Sequence, residues 1–340
     1  MRKVSLYITL IGSLFFGDKA LSQSADAFTQ IDNLLNDALF FSSRYLTPAT
    51  DAAIYQSSSA WVVTPQKRKL WDVTVSLHTN IFVVPNDDRR FTVNNSDFSF
   101  FTIEGASSAS VPTALGNDDQ VYLTGQIDDG ENINNVRLES PEGIDSETMV
   151  YPYLQASVGL LYGTELTVKY STRVKLKRGN YQVYGFGLKH NLSQYFQKMD
   201  EKKIHFSAFA GYAKEEISFN FLDTQTSYGS LGLNQISGLV NTMQFQLNAS
   251  KQWDRFEVMG ALIANSSDIR YEVDGPKGEI ESVIPVQSII NRKLQEIETT
   301  KTNIIGEAAF RYQFGNFFVQ SATAFGKFIN TNLSVQYEFN

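Results

Sequence analysis

Cysteine is absent from all 340 residues. That excludes a disulfide scaffold, thiolate metal sites, a cysteine nucleophile and a lipid-anchored N-terminal cysteine. Positive charge is in deficit, with 29 Lys and Arg against 36 Asp and Glu and a net charge of −7. Nucleic-acid binding needs a clustered basic face, so no such partner is expected. Histidine is scarce. His78 and His190 have no partner at metal-ligand spacing, so neither a metal nor any other cofactor is expected. Long apolar runs are missing too. With a mean hydropathy of −0.21 and one run near spanning length, a polytopic helical membrane protein is excluded. Aromatics, by contrast, are plentiful for a water-soluble chain: 25 Phe, 16 Tyr and 3 Trp.

The one apolar run is an address. Arg2 and Lys3 precede a short apolar stretch from Val4 to Phe16, which Gly17-Asp18-Lys19 ends early. This is the pattern of a secretory signal peptide, with small Ala20 and Ser22 placing cleavage before Gln23. The expected domains are a signal peptide at 1–22, a plug at 23–69 and a barrel at 70–340. Removing 1–22 leaves 26 basic and 35 acidic groups, net −9.

Beyond the signal, Phe28, Ile31, Leu34, Leu35, Ala38 and Leu39 recur at helical steps. Thr47-Pro48 has the form of an N-cap followed by proline at the first position of a second, shorter helix. Ser57 to Ser59 and Pro65 break the pattern. The segment is expected to be a helical plug at the periplasmic mouth, with Phe28, Ile31, Leu35, Pro48 and Tyr55 as its principal residues.

From residue 70 the period becomes two. Trp71, Val73, Val75, Leu77, Thr79, Ile81 and Val83 alternate with Asp72, Thr74, Ser76, His78 and Asn80. The same zigzag recurs around 166–176, 243–250, 306–313 and 332–339, so each strand has one apolar and one polar face. A soluble sandwich or lipocalin-like barrel would turn the apolar face inward; a membrane barrel turns it toward lipid. Three features favour the membrane. Charges lie on the polar faces. Trp71, Phe82, Tyr153, Tyr181, Trp253, Phe256, Phe314, Phe317, Tyr337 and Phe339 sit at strand ends as girdles would. Tight connections alternate with long ones at 85–96, 128–148, 214–238 and 274–299.

The expected fold is all-β, an antiparallel transmembrane β-barrel of about 12 strands within a range of 10 to 14, with an N-terminal helical plug. The candidates include 97–105 and 119–127 between the first strand and 150–162. Expected lumen-facing side chains are Asp72, His78, Lys169, Arg173, Lys175, Glu307 and Arg311, with Lys169, Arg173 and Lys175 forming a basic ladder. The last strand is a separate signal. Leu333, Val335, Tyr337 and Phe339 alternate toward a terminal aromatic, the pattern read by the barrel-assembly machinery, with Asn340 one residue beyond it. Signal peptide, strands and terminal pattern together imply the outer membrane of a Gram-negative bacterium, with outer-membrane lipid as surroundings.

Two resemblances add to this reading. Tyr45-Leu46-Thr47-Pro48-Ala49, with Tyr55 and Trp61, resembles the hatch region of FadL-type long-chain fatty-acid channels, which implies a barrel with an N-terminal plug. Those channels have Asn-Pro-Ala where this chain has Thr47-Pro48-Ala49, and none of their ligand contacts maps onto it. Pro112-Thr113, Gly116, Gly163-Thr164-Glu165 and the stretch from Tyr184 to Gln194 are similar to a domain-of-unknown-function family of outer-membrane barrels.

Chemistry is sparse. His205 and Ser207 share a strand face, as in lipid-modifying hydrolases where an imidazole activates a hydroxyl, and Glu215 or Glu216 would have to orient the imidazole. Two residues at that spacing do not make a site, so no catalytic residue is expected. The acidic stretch 128–148 is expected to be a solvated loop, and 285–298 a small loop helix carrying Ile289, Ile290 and Leu294. The function expected is passage or capture of a hydrophobic or amphipathic small molecule. The alternative is a non-transport barrel serving as anchor or partner of another envelope protein.

Overall fold

Alternating residues of low turn propensity leave the backbone one way to satisfy its N–H and C=O groups in lipid, which is pairing around a closed ring. The computed structural model describes residues 24–128, 133–176, 179–220, 225–226, 229–230, 235–275 and 286–339. The expected signal peptide lies outside them. Ten strands make the ring: β1 (Val73–Val83), β2 (Thr148–Gly159), β3 (Thr164–Tyr170), β4 (Gly179–Asn191), β5 (Ile204–Asn220), β6 (Gln235–Trp253), β7 (Phe256–Asp274), β8 (Thr299–Phe314), β9 (Phe317–Phe325) and β10 (Asn330–Phe339). Each pairs antiparallel with its neighbours, and β10 returns to β1 from Val73 opposite Phe339 to Phe82 opposite Asn330. One further strand, Val174–Leu176, pairs with β4 outside the main order.

The alternation runs inside out. On β1, Thr74, Ser76, His78 and Asn80 are buried while Val75, Leu77 and Val83 are exposed. On β6, Met243, Phe245 and Leu247 face outward, opposite buried Thr242, Gln244, Gln246 and Asn248. A continuous apolar belt of this kind is unfavourable in water and favourable against hydrocarbon. At the tight-turn end, Trp71, Tyr162, Tyr195, Phe196, Trp253, Phe314, Phe317 and Phe339 are exposed as a girdle. Leu333 and Val335 also face outward on the closing strand. Phe82, Tyr153 and Tyr181, expected in the girdles, are instead buried in the lumen.

Two of the twelve expected strands are not in the wall. Residues 84–128 and 133–147 lie at the long-loop end, with strands 90–94 and 108–112 paired, and 102–103, 122–128 and 133–139 in a second small sheet. These strands of two to seven residues are shorter than the 9 to 11 or so that a tilted crossing needs. Their apolar faces cover a helix rather than lipid: Phe91 meets Phe41 at 5.3 Å and Phe98 meets Phe40 at 5.9 Å. Ten strands keep both barrel ends on the tight-turn side. The loop helix is present as α2, which follows α1 (Ser24–Ser58) in the chain and spans Val286–Leu294.

The plug also departs from expectation. α1 is one helix with Pro48 inside it. An interior proline removes a hydrogen bond and costs about 3 kcal/mol. From Tyr45 onward all the helix but Thr47 is buried, which offsets this, and the Tyr45 carbonyl accepts a further bond from Ala114 N–H at 2.9 Å. Nor does the helix sit at the periplasmic mouth. It starts among the long loops, where Asp32 meets Lys293 at 2.8 Å, and descends into the ring. Beyond Ser58 the chain runs extended through the tight-turn half to Arg68, and Trp71 N–H then donates to Gly159 O at 2.9 Å as β1 begins. Leu35 is half-buried and Pro48 and Tyr55 are buried, while the side chains of Phe28 and Ile31 lie outside the described residues.

Candidate functional site

The lumen and the segment threaded through it form the candidate site, and its lining changes character from one end to the other. In the long-loop half it is apolar. Leu46, Ala49, Ala53 and Ile54 of α1 share one core with Phe219, Ile236, Val240, Ile263, Ile269 and Ile305 of the wall. Above this, the Asp37 carboxylate, 4% exposed, accepts backbone N–H bonds from Ser99, Phe100 and Phe101 at 2.7 to 3.1 Å. Lys301 and Lys327 both pair with Asp51 at the rim.

At mid-lumen the helix ends and the chain turns. Ala60 has φ 56°, the left-handed region that glycine or asparagine usually takes after a helix. Its N–H donates to Glu307 Oε2 at 2.7 Å, which holds the turn against the wall. Ser57, Ser58 and Ser59 bond Thr242, Asn265 and Asn330 on three different strands. Lys169 Nζ donates to Ser59 O at 3.0 Å and lies 4.4 Å from the Trp61 ring and 4.7 Å from that of Tyr153. Trp61 needs space. A Cβ at Gly185 would come within 2.9 Å of its ring, and one at Gly187 within 2.2 Å of Phe209, whose ring packs on Trp61 at 5.3 Å. The glycines of the Tyr184 to Gln194 stretch are thus the wall's relief for the plug.

The tight-turn half carries a chain of alternating charges. Lys189 Nζ donates to Glu165 Oε2 at 2.7 Å, and Arg68 Nε lies 3.6 Å from the same oxygen. Arg68 Nη2 reaches Glu338 Oε1 at 2.6 Å, Arg311 Nη2 reaches it at 2.5 Å, and Arg311 Nη1 lies 3.6 Å from Glu257 Oε2. Three cations balance three carboxylates. Five come from the wall and Arg68 from the threaded segment, so this network locks the plug. Thr64 Oγ1 adds a bond to Glu257 Oε1 at 2.9 Å, and Asn191 Nδ2 one to Pro65 O at 2.8 Å.

Beside β2 the wall has a seam. β2 pairs with β3 only from Leu154 to Gly159, because beyond Tyr170 the chain parts from β2 while staying on the edge of β4, where Ser171 N–H donates to Val183 O at 2.7 Å and Val174 pairs with Tyr181. Among the described residues no ladder joins 148–153 to 171–183. Pro152, which has no N–H to donate, sits on this edge, as proline in a strand should. Behind it, Tyr151 of β2 and Tyr181 of β4 meet inside the lumen, ring centroids 4.2 Å apart.

Of the expected lumen residues, His78, Lys169, Glu307 and Arg311 are buried inside. His78 stacks on Tyr153 at 4.8 Å, with Nδ1 2.8 Å from Asn332 Oδ1 and Nε2 2.9 Å from Ser76 Oγ. Three expectations fail. Asp72 lies at the rim, where its carboxylate accepts Lys69 N–H at 3.0 Å. Arg173 is exposed and pairs with Glu216 at 3.4 Å, and Lys175 is exposed on the short outer strand. The break after Tyr170 ends the basic ladder at Lys169. The sequence did not mark Arg68, Glu165, Lys189, Glu257 and Glu338 as lumen residues, and offered Glu215 only as an acid for His205. The signal for the four at 165, 189, 215 and 257 was a charge at inward parity within a strand, alone on its face at 189, 215 and 257 and shared with Lys169 at 165. The acids offered to His205 and Ser207 do not serve. Glu215 stands eight residues along the same strand, about 26 Å away, and Glu216 turns to Arg173. Ser207 Oγ accepts from Asn248 Nδ2 at 3.2 Å.

Solved barrels superpose on much of this chain at low similarity. The attachment invasion locus protein Ail of Yersinia pestis is 8% identical and covers 80% of this chain and 100% of its own, with a TM-score of 0.29. The translocator domain of the autotransporter NalP from Neisseria meningitidis is 8% identical over 85% and 92%, at 0.34. The outer membrane protease OmpT of Escherichia coli is 12% identical over 81% and 100%, at 0.27. No curated protein matches the sequence. This chain, a ten-stranded barrel with its N-terminal segment threaded through the lumen, belongs to the family of unknown function DUF6588, whose model it matches over residues 1–339.

Proposed function

We propose that this barrel lies in the outer membrane of a Gram-negative bacterium, after cleavage of a signal peptide near Ser22. There it passes or captures a hydrophobic or amphipathic small molecule, with residues 24–68 as its gate. One observation carries this reading. The wall facing α1 is apolar in the long-loop half (Phe219, Ile236, Val240, Ile263, Ile269, Ile305), whereas a general diffusion pore is polar throughout. Displacing the helix would uncover a greasy chamber, suited to an apolar ligand and poor for ions. The likeness of the Tyr45 to Ala49 stretch to fatty-acid channels supports the same reading. No catalytic step is involved.

Deletion of residues 24–60 tests it. Uptake of a fluorescent fatty acid into proteoliposomes is expected to rise, and unchanged flux would sink the proposal. Mass spectrometry after gentle detergent extraction should also find a retained lipid-like molecule.

A second reading, an anchor for another envelope protein, is favoured by the folded surface formed by residues 90–128 and 133–139, which Asp37 clamps to α1. It predicts a partner that co-purifies stoichiometrically in detergent and a lumen without ligand.

A further inference from the structure

The tight-turn end is basic in a chain that is acidic overall. Lys67 and Lys69 precede β1, Lys198, Lys202 and Lys203 lie between β4 and β5, and Lys251 and Arg255 flank the β6–β7 turn. Against these seven the same segments hold four acids, Asp72, Asp200, Glu201 and Asp254, although the net charge of the chain is −7. Outside the lumen, every ion pair among the described residues lies at the long-loop end, as in Arg90 with Asp119 and Lys293 with Asp32. None of the seven tight-turn cations is in one there, and all but the half-buried Lys251 are exposed. Two connections bring four of them together. Ile204 stands opposite Lys251 in the β5–β6 register, and Gln252 N–H donates to Lys203 O at 3.0 Å. Lys202 and Lys203 therefore adjoin the turn that carries Lys251 and Arg255, and the Lys251 ammonium donates to the Lys202 carbonyl. Phe196 and Trp253, both exposed, place this group in the aromatic girdle. Girdle aromatics settle at the depth of lipid head groups, so these cations stand where phosphates lie.

We infer that Lys202, Lys203, Lys251 and Arg255, with Trp253, form a docking surface for anionic phospholipid of the periplasmic leaflet, of the phosphatidylglycerol kind. The inference rests on the reading of the barrel as an outer-membrane protein and adds which lipid its periplasmic rim selects. A cation held beside a head-group layer without a carboxylate partner favours negative lipid by about fivefold for each charge. The ion pairs of the long-loop end cancel that attraction, and a zwitterionic head group offers no net charge to it. The preference is therefore confined to one leaflet and one sector of the rim. The belt supplies the rest of the contact: the acyl chains lie along its outward face while the phosphate meets the cations.

The test uses the full chain in phosphatidylcholine nanodiscs that also hold equal, small amounts of phosphatidylglycerol and phosphatidylethanolamine with the same acyl chains. Lipid that stays with the barrel on release is read by native mass spectrometry. Phosphatidylglycerol should be enriched about tenfold or more over phosphatidylethanolamine, and the enrichment should shrink as added salt screens the exposed charges. Changing Lys202→Gln, Lys203→Gln, Lys251→Gln and Arg255→Gln together should abolish it. Lys175→Gln with Arg292→Gln, exposed cations of the long-loop end, should leave it unchanged. No enrichment by the unaltered protein, or equal enrichment by the fourfold variant, overturns the inference. A chain that leaves the nanodisc as a water-soluble species removes the membrane reading itself, whereas insertion without lipid preference removes only this inference. Because a variant can misfold, the unaltered protein is also irradiated with phosphatidylglycerol bearing a diazirine in its head group. Label on peptides from 192–203 or 251–256 supports the surface, and label confined elsewhere refutes it. Displacement of the lipid by inorganic phosphate would mark a simple anion site, and stronger capture of lipopolysaccharide by the same residues would assign the rim to the other leaflet; either result overturns it.

Discussion

Arg68 of the threaded segment and Glu338, next to the last residue of the closing strand, meet at 2.6 Å with side chains 9% and 12% exposed. One ion pair therefore ties the plug to the strand that closes the barrel. The same carboxylate oxygen takes Arg311 at 2.5 Å, so Glu338 is shared between the two. Removing Arg68 leaves Glu338 and Glu165 short of a cation in a largely buried network.

Arg68→Ala is accordingly expected to destabilise the folded barrel by about 3–5 kcal/mol, the range for breaking one side of a buried pair. It should also free the lower half of the plug. Urea unfolding in detergent reads the first effect and planar-bilayer conductance the second. A variant as stable and as closed as the parent would show that the network does not hold the plug.

Gly185 tests the packing of Trp61. Gly185→Val puts side-chain atoms where the indole and the Tyr212 carbonyl lie. Overpacking costs about 1–3 kcal/mol, and the Trp61 emission should shift to the red as water reaches the ring. An unshifted spectrum with unchanged stability would mean that the wall has slack there.

Asp37 tests the outer clamp. Asp37→Ala removes the acceptor of the Ser99, Phe100 and Phe101 N–H groups. Hydrogen bonds to charged groups contribute about 1.5–3 kcal/mol each. The expected result is faster trypsin nicking within 84–147, with the barrel intact on heat-modifiability gels.

Two surface carboxylates give the outer loops a pH dependence. The hydrogen bond and charge of Lys293 hold Asp32 below its ordinary value of 3.8. The bond from Arg90, seconded by Asn117, does the same for Asp119. Depressed carboxyl groups stabilise the folded form above the ordinary value, and that stabilisation disappears as pH falls through the lower folded value. Spin labels at Ser107→Cys and Ser288→Cys, convenient in a chain without cysteine, should therefore gain mobility only in acid below that value. Loosening at neutral pH would refute the assignment.

The barrel was legible because its physics is local. A strand has a period of two, and lipid on one side with water or polar side chains on the other writes that period into the residues. Ten of the expected segments accordingly fall in the wall. The stretches 97–105 and 119–127 misled for the same reason: a strand covering a helix carries the same zigzag as one covering lipid, and only its short length tells them apart. Pro48 misled because a helix enclosed by the barrel from Tyr45 onward can carry a proline that an isolated helix could not.

Of the candidate site, parity alone turned His78, Lys169, Glu307 and Arg311 inward, since facing in or out is a property of one strand. Which charges meet is not such a property. Arg68 finds Glu165 and Glu338 from positions about 100 and 270 residues away, and Tyr151 meets Tyr181 inside the lumen from a strand 30 residues distant. The amino-acid order by itself determined the strands, their apolar faces and the presence of an N-terminal plug. Closure of the ring decided the path of that plug, the charge network at its foot and the seam beside it, because those contacts form only once distant strands share one lumen.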